Sequence, residues 1–121
     1  MRILLVEDDP ANVEFFVDVL EVAGHVVQVA RTGLDGHAQA VRAQFDLMIL
    51  DIQLPGMRGD ELCRKLRASG LHTPMLALSA DALPHQVASS LEAGFNDYLT
   101  KPISPRALRD AVLRFATSAR D

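Results

Sequence analysis

Cysteine occurs once in the 121 residues, at Cys63, so no disulfide can form within the chain. Basic runs are missing as well. Twelve Lys and Arg against 16 Asp and Glu give a net charge of -4 and a pI near 5.5, which leaves no electrostatic footprint for nucleic acid. No apolar stretch approaches the roughly 20 residues that a membrane span needs. The N-terminus lacks a charged segment followed by an apolar stretch and a cleavage site. Together these absences point to the cytoplasm, away from membranes and from disulfide-stapled scaffolds. What remains is 49 % hydrophobic and 23 % charged, an ordinary globular balance, in a length that suits one domain over residues 1–121.

The apolar residues fall into short runs separated by helical patterns. Arg2-Ile3-Leu4-Leu5-Val6, Leu47-Met48-Ile49-Leu50 and Met75-Leu76-Ala77-Leu78 read as strands buried on both faces. Val26-Val27-Gln28-Val29 is partly polar and belongs nearer an edge, and Asp97-Tyr98-Leu99 is a short fifth strand. Between them, Val13, Phe16, Val17 and Leu20 make one helical face after a cap at Asp9 and a proline at position 10, with Gly24 as terminator. A second helix follows Gly33. Its buried face is either Leu34, Ala38 and Val41 or the smaller set Gly36, Ala40 and Ala43, and periodicity does not choose. A third helix over Gly59 to Ser69 turns Leu62, Cys63 and Leu66 inward, with Cys63 a small core residue. A fourth, over Pro84 to Ala93, turns Val87 and Leu91 inward. The last is capped by Ser104 and buries Leu108, Ala111, Val112 and Phe115, leaving Thr117 to Asp121 beyond it.

Five strands alternating with helices imply a parallel sheet covered on both faces, and the doubly wound order 2-1-3-4-5 is the leading arrangement. In that order the first and third strands are neighbours, so Glu7, Asp8 and Asp51 meet at the carboxyl edge. Ser79 ends the fourth strand and Lys101 follows the fifth, at the same edge. Three carboxylates in a small site repel one another, and a hard divalent cation with oxygen ligands, Mg²⁺ foremost, is the simplest remedy. A phosphoryl group would then fit between that metal, Lys101 and the Ser79 hydroxyl, in reach of an attacking aspartate. Singly, an acid after a strand is often a helix cap and Lys-Pro a turn. Their joint placement at the ends of the right strands is what is specific.

The chain resembles the receiver domain of two-component response regulators over essentially its whole length. The matching residues are Val6-Glu7-Asp8, Leu50-Asp51-Ile52-Gln53-Leu54-Pro55-Gly56-Met57 with Gly59, Leu78-Ser79-Ala80, Gly94-Phe95 with Asp97-Tyr98, and Lys101-Pro102. The resemblance implies a flavodoxin-like, chemotaxis-regulator-like fold. It implies Asp51 as phosphoacceptor, and Mg²⁺ (or Mn²⁺) held by Glu7, Asp8, Asp51 and the backbone carbonyl of Gln53. Ser79 would be the switch hydroxyl, Tyr98 its aromatic partner, Lys101 the phosphoryl's counter-charge, and the Lys101-Pro102 peptide cis. The implied partners are a histidine kinase or phosphotransfer protein and a downstream protein. The latter would dock on the face of the fourth helix, fifth strand and fifth helix, where Ser89, Ser90, Arg106, Arg109 and Asp110 offer polar contacts; the chain would be a monomer or weak dimer. Arg58 and His37 stand where many relatives carry an acidic or small residue and an apolar residue, respectively.

Neighbouring classes fail on particular residues. A dehalogenase-like aspartyl phosphatase needs a second aspartate two residues after the nucleophile, where Gln53 stands. A flavin module needs a hydroxyl- and glycine-rich loop after the first strand, where Glu7-Asp8-Asp9 would repel the phosphate. A purely scaffolding receiver would have lost the acceptor, a metal acid or the lysine. The reading is therefore a signalling protein, preferably a single-domain regulator, with a receiver excised from a hybrid histidine kinase as the first rival and a Mg²⁺-dependent aspartyl phosphatase as the second. His25, His37, His72 and His85 show no metal-ligand pairing.

Overall fold

In the computed structural model, residues 1–81 and 83–119 are described, and side chains up to residue 115. The elements run β1 (Arg2–Val6), α1 (Pro10–Val22), β2 (Val26–Ala30), α2 (Gly33–Arg42), β3 (Leu47–Asp51), α3 (Gly59–Ala68), β4 (Met75–Ser79), α4 (Pro84–Ala93), β5 (Asp97–Thr100) and α5 (Pro105–Ala119). All strand pairs are parallel, in the order β2-β1-β3-β4-β5. The flavodoxin-like fold expected from the sequence is the one observed.

The continuous apolar runs are resolved by the two-residue period of a strand. Leu4, Val6, Met48, Leu50, Met75 and Ala77 face one core together with Ala40, Leu62, Leu66 and Ala93 of α2, α3 and α4. Their alternates Ile3, Leu5, Leu47, Ile49, Leu76 and Leu78 face the other, with Phe16 and Leu20 of α1 and Leu108 and Val112 of α5. Each large aliphatic side chain so buried stabilises the fold by about 1.5–3 kcal/mol. β2 lies at an edge, and Val26 is 65 % exposed, as its mixed composition suggested.

Helix phase departs from the apolar pattern in two places. In α2 the smaller set is the buried one: Gly36 and Ala40 face the sheet, whereas Leu34 and Val41 are 74 % and 60 % exposed. The reason is distance. A Cβ on Gly36 would lie 2.9 Å from a methyl of Val6, so this helix approaches the sheet too closely for a large side chain. In α4 Leu91 is 47 % exposed and Val87 only half-buried, and Ser90 and Ala93 take the inner positions. This is again a small-residue contact, tight enough for the Cys63 thiol to donate to the Ala93 carbonyl at 3.5 Å. Burial also removes Ser90 from the polar surface that the sequence assigned to it. α5 continues to Ala119, past the end expected near Phe115, so Thr117 to Ala119 are helical. Residues 120 and 121 of the expected tail lie outside the described residues.

Candidate phosphoacceptor site

The register sets the site. Val6 pairs with Leu50, so the next residues along β1 and β3, Glu7 and Asp51, emerge side by side at the carboxyl edge. Asp8 follows Glu7, and Asp9 turns the chain into α1 by accepting the Ala11 N–H at 2.9 Å. Glu7, Asp8 and Asp51 each place a carboxylate oxygen within 4.8 Å of the others, a grouping of hard oxygen donors that fits a divalent cation such as Mg²⁺. Glu7 and Asp51 are buried and Asp8 is exposed, so the group opens to solvent on one side.

Lys101 reaches into this group from the loop after β5. Its Nζ donates to Glu7 Oε1 at 2.8 Å and to Asp51 Oδ2 at 3.0 Å. The remaining oxygens are held by backbone: Asp9 N–H donates to Glu7 Oε2 at 3.2 Å and Gln53 N–H to Asp51 Oδ1 at 3.0 Å. Burial pushes the Glu7 carboxyl above its ordinary pKa. The hydrogen bonds from Lys101 and the Asp9 amide pull it back only in part, and Asp51 raises it further. Burial also works against the Lys101 ammonium, but its bonds to Glu7 and Asp51 and the charge of both outweigh that, so its pKa lies above the ordinary value. The Lys101–Pro102 peptide is cis, as the resemblance implied.

Glycine is what allows α3 to start beside the acceptor. Gly59 N–H donates to the Ile52 carbonyl at 3.0 Å, and any Cβ there would collide with the backbone carbonyl of Asp51.

Ser79 follows Leu78, the partner of Asp51 in the β3–β4 register, and is buried at the same edge. Its Oγ accepts the Asp81 N–H at 3.1 Å. Tyr98, half-buried on β5, donates its hydroxyl to the Asp81 carbonyl. One peptide residue thus touches both expected switch side chains, although Ser79 and Tyr98 do not bond to each other. Sequence reasoning did not single out Asp81, nor the Lys101–Glu7 bond, because it reserved Lys101 for the phosphoryl group. Three acids around one lysine at the same edge were the available signal. The Gln53 side chain is exposed and lies outside the acid group.

A doubly wound parallel sheet with an acid group able to hold a metal ion and a lysine at its carboxyl edge defines the class of α/β module. The chain belongs to the response regulator receiver domain family, whose model matches residues 3–113. It is 44 % identical over 105 residues to the probable transcriptional regulatory protein SilR of Salmonella typhimurium, covering 86 % of this chain and 46 % of that one. To the sensor protein GacS of Pseudomonas syringae it is 36 % identical over 119 residues, 94 % of this chain and 13 % of that one. The chain therefore spans about half or less of these relatives. Among solved structures, the receiver domain of the sensor histidine kinase PA1611 from Pseudomonas aeruginosa, described with a magnesium ion coordinated in its active-site cleft, superposes with a TM-score of 0.88. It is 34 % identical, over 96 % of this chain and 97 % of that one. Among the described residues no helix is long and apolar enough to cross a membrane.

Proposed function

We propose that residues 1–121 form one receiver domain that accepts a phosphoryl group on Asp51 from a phosphohistidine of a kinase or phosphotransfer protein. A carboxylate oxygen of Asp51 forms the new O–P bond as the N–P bond to the donor imidazole breaks, and the imidazole nitrogen keeps the electron pair. Glu7, Asp8 and Asp51, with the Gln53 carbonyl, would hold Mg²⁺, which supplies positive charge for the phosphoryl oxygens when bound. Lys101 supplies the counter-charge from the other side, and its present bond to Asp51 Oδ2 keeps an ammonium beside the acceptor. Ser79 donates to the incoming phosphoryl group, and the face of α4, β5 and α5 changes in response, where Ser89, Arg106, Arg109 and Asp110 are exposed. The observation that carries this reading is the convergence of Glu7, Asp8 and Asp51 within 4.8 Å, with Lys101 bridging two of them.

Labelling by acetyl phosphate or a phosphorylated donor tests it. Asp51→Asn keeps size while removing the attacking charge, so labelling vanishes, and excess chelator abolishes labelling of the wild type. Stability barely changes, because relief of repulsion among three acids offsets the weakened bond to Lys101. Full labelling of the variant at another residue, or undiminished labelling without divalent ions, would end the assignment. The match to GacS favours a second context, a receiver within a hybrid sensor kinase, with the same chemistry at Asp51. Faster transfer from a kinase core than from a histidine phosphotransfer protein would mark that context.

A further inference from the structure

Arg67, in the last turn of α3, does not behave as a solvated surface cation. Its Nε donates to the Gly94 carbonyl at 3.1 Å, Nη1 to the Leu71 and Thr73 carbonyls at 3.0 and 2.7 Å, and Nη2 to Asn96 Oδ1 at 2.9 Å. Asn96 Oδ1 in turn accepts the Met75 N–H at 2.8 Å. One guanidinium therefore ties the end of α4 to the start of β4 and the start of β5, and its planar fork allows this where a lysine's point charge would not. The fit is close. Gly94 caps α4 at φ 117°, and a Cβ there would lie 2.7 Å from Arg67 Cγ.

The two ends of α4 are held unequally. Its only buried residues, Ser90 and Ala93, lie in the second half, beside the Cys63–Ala93 contact. At the other end the cap residue Leu83 makes no side-chain cap bond, and Pro84, His85, Ala88 and Ser89 are exposed. That more exposed end is tied to the Asp81 turn, whose side chain accepts the Leu83 N–H at 3.0 Å and which itself hangs on Ser79 and Tyr98. We propose that α4 is a lever pivoting on the Arg67 clamp, so that a signal arriving through the Asp81 turn swings its N-terminal half while residues 94–96 stay fixed. The direction of movement rests on the phosphoacceptor reading above; the clamp does not.

Two measurements separate these. In the unmodified protein, amide hydrogen exchange reads the clamp alone. All of Ala88, Ser89, Gly94 and Phe95 carry backbone-bonded amides, Gly94 to Leu91 and Phe95 to Ser90. The Gly94 and Phe95 amides nevertheless exchange about tenfold more slowly than those of Ala88 and Ser89, and Arg67→Lys removes the difference by costing the fork one or more of its bonds. Uniform exchange along α4 in the wild type overturns the proposal, as does a gradient that survives Arg67→Lys. If the variant does not fold, the wild-type gradient decides. The second measurement adds Mg²⁺ and beryllofluoride, a phosphoryl mimic, and follows amide NMR shifts. In the wild type the shifts fall on Leu83 to Ser89 and spare Gly94 to Asn96, whereas in Arg67→Lys they extend to both. Shifts of equal size at Val87 and Gly94 in the wild type overturn the lever. No shift anywhere overturns the phosphoacceptor reading instead, and the exchange gradient still judges the clamp.

Discussion

Glu7 is a fully buried acid that shares its cation, Lys101, with Asp51. Its raised pKa has a definite sign in stability. The folded state holds the proton more tightly than the unfolded chain, whose value is near 4.5, so this group's contribution is lost as pH rises from 4.5 through the folded value. Lys101 runs at the other end of the scale: its bonds to the acids stabilise the fold fully below pH 10.5 and are lost as pH climbs through its raised folded pKa. For the metal the consequence is direct. Glu7 would ligate only in its ionised form, so Mg²⁺ uptake is expected to release a proton between pH 4.5 and the raised folded value, with affinity rising with pH across that window. Titration calorimetry in buffers of different ionisation enthalpy will show that release, and Glu7→Gln will lose it along with most of the affinity. Binding without proton release anywhere in that window would place the metal elsewhere. The acids themselves were legible from sequence, since each follows a continuous apolar run. Arg67 was not legible, because an arginine in the last turn of a helix has the same local pattern whether it meets water or four distant acceptors.

At the scale of the element, what the sequence conveyed well was where helices begin and, for all but α5, where they end, and what it conveyed poorly was how they roll. Asp9, Ser104, Gly24 and Gly94 act within a few residues of themselves, so their signals are local. The roll of α2 and α4 depends instead on how near each helix comes to its neighbours, and close approach selects glycine, alanine and serine over the leucines that a hydrophobic pattern favours. The N-terminus of α3 shows the same dependence at the site. Gly59→Ala sets a methyl against the Asp51 carbonyl, which is fixed in the sheet, so α3 must shift. Overpacking of this kind costs about 1–3 kcal/mol, read as a lower urea midpoint, and labelling of Asp51 slows as its strand end is displaced. Gly70→Ala is the contrast: φ is 94° but the space is open, so about 1 kcal/mol is lost to backbone strain while labelling proceeds at the wild-type rate. Equal labelling by the two variants would separate Gly59 from the acceptor.

Across the whole molecule, topology followed from alternation alone, because parallel strands with right-handed crossovers leave few arrangements for five strands. The proposed route from Asp51 to the α4–β5–α5 face was not legible in the same way, since it would pass through the backbone of Asp81, which no sequence pattern marks. Ser79 Oγ holds the Asp81 N–H and Tyr98 holds its carbonyl, so the two side chains jointly fix the position of one residue. A phosphoryl group on Asp51 offers the Ser79 hydroxyl a charged acceptor, a stronger partner than the neutral bonds it makes elsewhere. If Ser79 turns toward it, the Asp81 amide is released and the turn that Tyr98 grips is free to move. A modification shifts such an equilibrium only by its differential interaction with the two states, and here that difference is centred on one hydroxyl. Ser79→Ala is therefore expected to label at Asp51 yet respond weakly. The lost hydrogen bond to a charged acceptor, about 1.5–3 kcal/mol, reduces the population shift by roughly tenfold or more. Amide NMR of the two proteins with Mg²⁺ and beryllofluoride reads it, with shifts retained around Asp51 and diminished at Tyr98 and Leu83 to Ser89 in the variant. Equal shifts in both proteins would show that the signal leaves the site by a path that avoids Ser79.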